Sequence, residues 1–280
     1  MEVAVVGHVE WVDFAVVDRV PLPGEIVTAS ECFALPAGGG AVAAVQLRKL
    51  AGAARFLTAL GEDPLGERAA RELRDEHGLD LHAALRERPT RRAVTHLDAR
   101  AERTITVLGE RLVPHGGDSL PWESLAELDG IYFTGGDADA LRAARRARVL
   151  VASARASDAL LAAGVVPDVL VASATDAKER AGAAALPALR WLVLTAGAQG
   201  GHWEARGGER GTWPAVPPPG PPVDAYGCGD SFAAGLTYGL AAGMALEAAL
   251  ALAARCGAHC LTGRGPYAAQ LTRTGGGVRI

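Results

Sequence analysis

Short apolar runs that end in small residues recur along this chain, and helical patterns separate them. Val3-Ala4-Val5-Val6 stops at Gly7, Ile131-Tyr132-Phe133 at Thr134-Gly135-Gly136, and Trp191-Leu192-Val193-Leu194-Thr195 at Ala196-Gly197. Val149 to Ala152 and Val169 to Ala172 are similar runs. Segments apolar at nearly every position read as strands covered on both faces of a parallel sheet. Helical patterns lie between them: Ala41 to Leu50, Glu67 to His77 with Gly78 as its C-cap, helices on either side of the 149–152 strand, and Ala245 to Leu261. Phe232, Leu236, Leu240 and Met244 repeat at four, one apolar helix face. Two regions break this rhythm. Strand-like segments at 14–20 and 26–35 flank the turn Pro21-Leu22-Pro23-Gly24-Glu25, and Ala93 to Asp98 alternates before a turn and a second strand, Arg103 to Leu108. The pattern predicts an α/β chain with a mainly parallel sheet and a second, smaller sheet.

Bulk properties narrow the function classes. The 280 residues suffice for a substantial core, and 35 glycines with 5% aromatics suit an α/β chain of many tight turns. A net charge of −4 supplies no basic field for a polyanion, so no nucleic-acid partner is expected. No apolar run approaches the roughly 20 residues of a membrane span, and the N-terminus does not read as a signal peptide. Four cysteines in a chain this long do not read as a disulfide framework, and the expectation is a cytoplasmic protein. Cys256, His259 and Cys260 share one helix face, too few ligands for a metal, and read as small packing residues.

The densest chemistry lies between a proline-rich run at 217–222 and the apolar helix that follows. Gly227-Cys228-Gly229-Asp230 puts two glycines around one small residue, then a carboxylate at the start of a helix. Such a loop lets successive backbone amides converge on an anion, and the helix dipole favours negative charge there. A carboxylate beside bound phosphate is a poor anion ligand but a sensible base for a hydroxyl attacking phosphorus. Read on its own, the stretch fits an ordinary N-cap equally well.

Asp224-Ala225-Tyr226-Gly227-Cys228-Gly229-Asp230-Ser231-Phe232-Ala233-Ala234-Gly235 resembles the C-terminal signature of the ribokinase-like (PfkB) sugar and nucleoside kinases, D-T-x-G-A-G-D-x-F-x-x-G, with Ala225 for threonine and Cys228 for alanine. Other segments follow the family in order: a first strand ending at Gly7, the turn at 21–25, the di-glycine Gly38-Gly39, Gly61 to Gly66 like G-x-D-x-x-G, Asp176-Ala177-Lys178-Glu179 like N-x-x-E, and Thr195 to Gly200 like T-x-G-x-x-G. The resemblance covers almost the whole chain. It implies one domain over 1–280, a three-layer α/β/α sandwich carrying a small β-sheet lid from about 13–35 and 91–112.

The resemblance also implies the roles. Asp230 would be the base, and Gly227, Cys228 and Gly229 the anion hole. Asp13, with Glu10 as rival, would grip acceptor hydroxyls beside Gly38 and Gly39; His8 stands close by. Arg91, Arg92 and Arg103 would meet an acidic or phosphorylated acceptor, although single arginines in strands more often face solvent. Thr195, Gly197, Gly200 and Asp176 would line the nucleotide, and Glu179 would reach Mg²⁺ through water. ATP would be the co-substrate. The closing turn at 262–266 matches the family's monovalent-cation region, without identifiable ligands for such an ion. A homodimer through the lid is a further family feature. One departure bears on the substrate: the Asn expected after the di-glycine is absent, Val42, Ala43 and Ala44 filling the candidate positions. The acceptor is therefore a small sugar or a nucleoside of unspecified identity. A non-catalytic sugar- or nucleotide-binding member is one alternative. A nicotinamide oxidoreductase is another, disfavoured because no early G-x-G-x-x-G occurs.

Overall fold

A computed structural model describes residues 1–186 and 189–273. Its main sheet has nine strands: β1 (Val3–Val6), β4 (Arg55–Gly61), β5 (Asp80–Arg86), β8 (Gly130–Phe133), β9 (Val149–Ser153), β10 (Val169–Ser173), β11 (Trp191–Thr195), β12 (Gly201–Ala205) and β13 (Arg210–Trp213). Their order across the sheet is β13-β12-β11-β10-β9-β8-β1-β4-β5. All neighbours from β5 to β11 pair in parallel, and only the β11–β12–β13 edge is antiparallel.

The apolar runs explain the layering. Successive side chains of a strand point to opposite faces. Val3 and Val5 of β1 join one core, whereas Ala4 and Val6 join another. The first core takes in α1 (Gly39–Ala51), α2 (Pro64–Asp75), α6 (Cys228–Ala241) and α7 (Leu246–Cys260), and the second α3 (Ala138–Ala144), α4 (Ser157–Ala163) and α5 (Ala177–Ala184). This is the three-layer α/β/α arrangement that the sequence predicts. Helix α6 ends at Ala241, earlier than the spacing of four through Met244 suggests, where Gly243 turns the chain at φ 78°.

The second sheet contains β2 (Glu10–Val16), β3 (Glu31–Ala37), β6 (Arg92–Leu97) and β7 (Arg103–Leu108), in the order β3-β2-β6-β7. Strands β6 and β7 form the expected hairpin. The first pair differs in its bounds: β2 starts at Glu10, and the strand predicted from residue 26 starts at Glu31. The proline-rich turn and the five residues after it are extended coil, since proline supplies no ladder donor.

Strand order reverses at β1, with α1 leading to β4 on one side and β8 beginning the run to β13 on the other. Open α/β sheets bind ligands outside the carboxyl ends of the strands at such a switch point. Gly7-His8 leaves β1 and Thr134-Gly135 leaves β8 at that edge, beneath the second sheet.

Candidate active site

Four glycines bring the site together. A Cβ on Gly7 would lie 2.5 Å from Thr134 Cγ2, and one on Gly40 would lie 2.6 Å from the His8 carbonyl, so α1 starts in direct backbone contact with the end of β1. Gly38, at φ 88°, packs against His8 and Glu10. Gly39 packs against Asp230, whose Oδ1 would lie 2.7 Å from an added Cβ. Two successive residues, Cα atoms about 3.8 Å apart, therefore link the His8–Glu10 strand end to the carboxylate of α6.

Gly227 caps α6 in the left-handed region, φ 80° and ψ 0°, and the first intrahelical bond runs from the Ser231 N–H to the Gly227 carbonyl at 2.9 Å. The amides of Cys228, Gly229 and Asp230 precede that bond, the unpaired donors of a helix start. Space above Gly229 is open: an added Cβ there meets no atom within 4 Å. Asp224 shapes the loop from beneath. Fully buried, its carboxylate accepts from the Tyr226 N–H at 2.7 Å and the Gly265 N–H at 3.1 Å, and burial raises its pKa. The Tyr226 hydroxyl accepts from the Gly38 N–H at 3.1 Å, joining this loop to the glycines of α1.

Asp230 is half-buried by surface area but enclosed by protein, and this enclosure pushes its pKa up; Arg155 and Arg103 oppose the shift, while Glu179 and Glu10 reinforce it. Arg155 lies in the short 3₁₀ turn Ala154–Ala156 after β9, with Nε 2.7 Å from Glu179 Oε1. Glu179, in the first turn of α5, also accepts from the Ser173 N–H at 2.8 Å. Asp176 caps α5 through the Lys178 and Glu179 amides, and its other oxygen lies 3.5 Å from Arg155. Among the described residues no three acidic, His or Cys side chains cluster as a metal site. Asp176 and Glu179 are the acids on this side that could face a Mg²⁺ ion carried on phosphates, an ion that keeps much of its hydration.

Strand alternation separates the two candidate acceptor acids. Glu10 and Phe14 lie on the face of β2 that meets the loop, the Phe14 ring standing edge-on to Tyr226 at 5.1 Å. Asp13, an odd number of residues from Glu10, lies on the other face with Trp11 and pairs with Arg92 at 2.8 Å. The structure therefore does not bring Asp13 or Arg92 into the cleft. Glu10 is 7% exposed; Arg91 Nε lies 3.2 Å and His8 Nε2 3.5 Å from its Oε1. Burial opposes ionisation of Glu10, but His8 and the arginines outweigh it and hold its pKa low. Burial first, then Arg111, lowers the pKa of His8 to about 4, so His8 is neutral at pH 7. Arg103 ties the second sheet to the loop before α6: its Nη1 donates to the Ala225 carbonyl at 2.7 Å, and the Ala225 N–H donates to the Ala101 carbonyl at 3.1 Å.

The residues expected to line a nucleotide gather at the end of β10 and β11. Thr195 ends β11, and Gly197 and Gly200 hold a tight turn at φ 55° and 80° beside a cleft of about 480 Å³ lined by Gln199, His202 and Trp213. Trp213 stacks on Phe232 of α6 at 5.7 Å. Val42, Ala43 and Ala44 are fully buried, so the helix after the di-glycine offers no hydroxyl ligand in place of the expected Asn. Arg111 and Arg155 escape the sequence reading: one sits in a loop and the other in a short 3₁₀ turn, without the spacing that marks a motif, and only the tertiary fold brings them within electrostatic reach of Asp230.

A layered parallel sheet, a separate four-stranded sheet over its switch point, and a helix start bearing free amides and a carboxylate define the ribokinase-like fold. A model of the pfkB family carbohydrate kinases matches residues 1–273, and the chain belongs to that family. Solved structures of the same fold include a candidate ribokinase from Agrobacterium tumefaciens (22% identity, TM-score 0.82, covering 96% of this chain and 94% of that one). A ribokinase from Arabidopsis thaliana in complex with ribose and ATP is similar at 19% identity and TM-score 0.72, covering 95% and 94%. A nucleoside kinase of the ribokinase family from Methanocaldococcus jannaschii is similar at 17% identity and TM-score 0.73, covering 96% and 95%. No match was found among curated protein sequences. No described helix is long and apolar enough to cross a membrane.

Proposed function

We propose that this kinase moves the γ-phosphate of ATP to a hydroxyl of a small sugar or sugar-like acceptor, with Asp230 as the base. The observation that carries the reading is the placement of Asp230: one carboxylate at the start of α6, against Gly39, beside amides with no intrahelical partner. An acceptor held between the His8–Glu10 strand end and α6 would present a hydroxyl to that carboxylate. Its raised pKa makes the ionised Asp230 a better proton acceptor than an ordinary aspartate.

The amides of Cys228, Gly229 and Asp230 would face the charge that develops on the transferring group, fixed donors that need no reorganisation. Arg155, held by Glu179, adds a positive charge near the same point. Mg²⁺ bound to the phosphates would neutralise charge there, with Glu179 and Asp176 as the acids on that side. Thr195, Gly197 and Gly200 would border the nucleotide. The second sheet would act as a lid that keeps water from competing with the acceptor hydroxyl. A nucleoside acceptor is the second reading, and the neighbour named as a nucleoside kinase favours keeping it.

The test is ADP release from ATP and Mg²⁺ with a panel of sugars, sugar derivatives and nucleosides. Acceptor-dependent release is expected for at least one sugar-like compound. Release with nucleosides alone moves the acceptor class, and release with none of them supports a binding protein on this fold.

A further inference from the structure

The acceptor end of the cleft sets two guanidiniums near one carboxylate. Arg91 disfavours the charge of Arg111, and Glu10 is the acid that favours it, with Arg91 ion-paired to Glu10 at 3.2 Å. His8 adds no charge at pH 7, so the cluster holds Arg91, Arg111 and Glu10, and Asp230 is the next acid within electrostatic reach. It also has unused donors and acceptors. The buried Nε of Arg111 and the Nδ1 of His8 have no hydrogen-bond partner among the described residues, whereas the buried Nε of Arg91 meets Glu10 in an ion pair at 3.2 Å. Buried polar atoms normally find partners, and a buried guanidinium left short of one is costly unless a ligand completes it.

From this cluster we infer that the acceptor itself bears an anionic group, a carboxylate or a phosphate, bound between Arg91 and Arg111, while one of its hydroxyls faces Asp230. The inference rests on the kinase reading above and specifies its substrate. Arg111 lies within electrostatic reach of Asp230, Arg155, Arg91 and Glu10, so one small molecule can span from the arginines to the base. Guanidinium forks match the paired oxygens of carboxylates and phosphates, which neutral sugars lack. Glu10 and the free His8 Nδ1 would take hydroxyls of the same molecule. The buried aliphatic residues after the di-glycine fit this division, since they place the polar recognition on the β1–β2 side.

The experiment compares matched acceptors: ribose, ribonate and ribose 5-phosphate, and fructose, gluconate and fructose 6-phosphate. Turnover is read by ADP release and binding by thermal shift. A charged member preferred over its neutral partner by about 10²-fold in kcat/KM is expected, and the acid and phosphate arms identify the anion. Arg111→Gln and Arg91→Gln should each raise KM for that acceptor about 10-fold or more, leaving KM for ATP within about 2-fold. Arg111→Lys, which keeps the charge, should recover part of the loss. Equal or better turnover of neutral sugars overturns the anionic acceptor and leaves the kinase reading standing. A rise in KM for ATP alone also overturns it, because the arginines then serve the nucleotide. If nothing is turned over, thermal shifts still decide: stabilisation by the charged compounds that disappears in Arg111→Gln supports the anion site, and its absence overturns it.

Discussion

At the scale of single residues, the site depends on close approach. Gly39 leaves room for Asp230, and a methyl group there would meet Oδ1 at 2.7 Å. Gly39→Ala should therefore displace the carboxylate and lower kcat by about 10- to 10²-fold, with KM for ATP little changed. Steady-state kinetics at saturating ATP would check this, and unchanged kcat would mean that the carboxylate does not need its observed position. Charge gives a second expectation. Burial raises the Asp230 pKa, so its ionised form is disfavoured in the folded protein. That destabilisation is absent below the unfolded-state pKa and grows as pH rises through the folded one. Asp230→Asn should accordingly have a higher Tm than the parent at neutral pH, with the difference shrinking in acid. The same raised pKa should place the acid limb of kcat/KM above the range of an ordinary aspartate. The opposition of Asp13 and Glu10 was already legible in the sequence, because residues three apart on a strand face opposite ways. Matching the family motif pointed to Asp13, and the alternation points to Glu10.

At the scale of elements, the anion loop is held by groups that do not belong to α6. Asp224 joins the Tyr226 and Gly265 amides, Tyr226 joins Gly38, and Ala101 and Arg103 of the second sheet's hairpin bond the Ala225 N–H and carbonyl. Asp224→Ala would leave two buried N–H groups without partners, at about 1–3 kcal/mol each. A lower Tm is expected, together with a fall in kcat larger than the change in KM for ATP; calorimetry and kinetics on one preparation would test both. The sequence marked this loop clearly, because small residues, a buried acid and an apolar helix face occur together there. It marked the first lid strands poorly. The coil after Pro23 contains Ile26 and Val27, residues of high strand propensity, yet Ile26 is 98% exposed and pairs with nothing in the ladder. Propensity without a covering face was not enough.

At the scale of the whole molecule, strand alternation and glycine-terminated apolar runs carried the layering, since each buried strand feeds two cores. The cleft electrostatics were far less legible. Arg111 follows β7 of the second sheet and Arg155 follows β9 of the main sheet, 44 residues on, and only the fold brings them within electrostatic reach of each other. An apolar seam connects the second sheet to the loop before α6: Phe33 stacks on Phe14 at 4.6 Å, and Phe14 meets Tyr226. Phe14→Leu, at about 1 kcal/mol or slightly more in stability, should loosen the seam. ADP release without acceptor should then rise relative to acceptor-dependent release. An unchanged ratio would mean that the lid does not exclude water through this contact.

The central claim is proton removal by the carboxylate at the head of α6, and Asp230→Asn tests it most directly. The variant should fold and bind ATP like the parent while its kcat for the best acceptor falls by about 10²-fold or more. A kcat within a few-fold of the parent would place the base elsewhere and contradict the account.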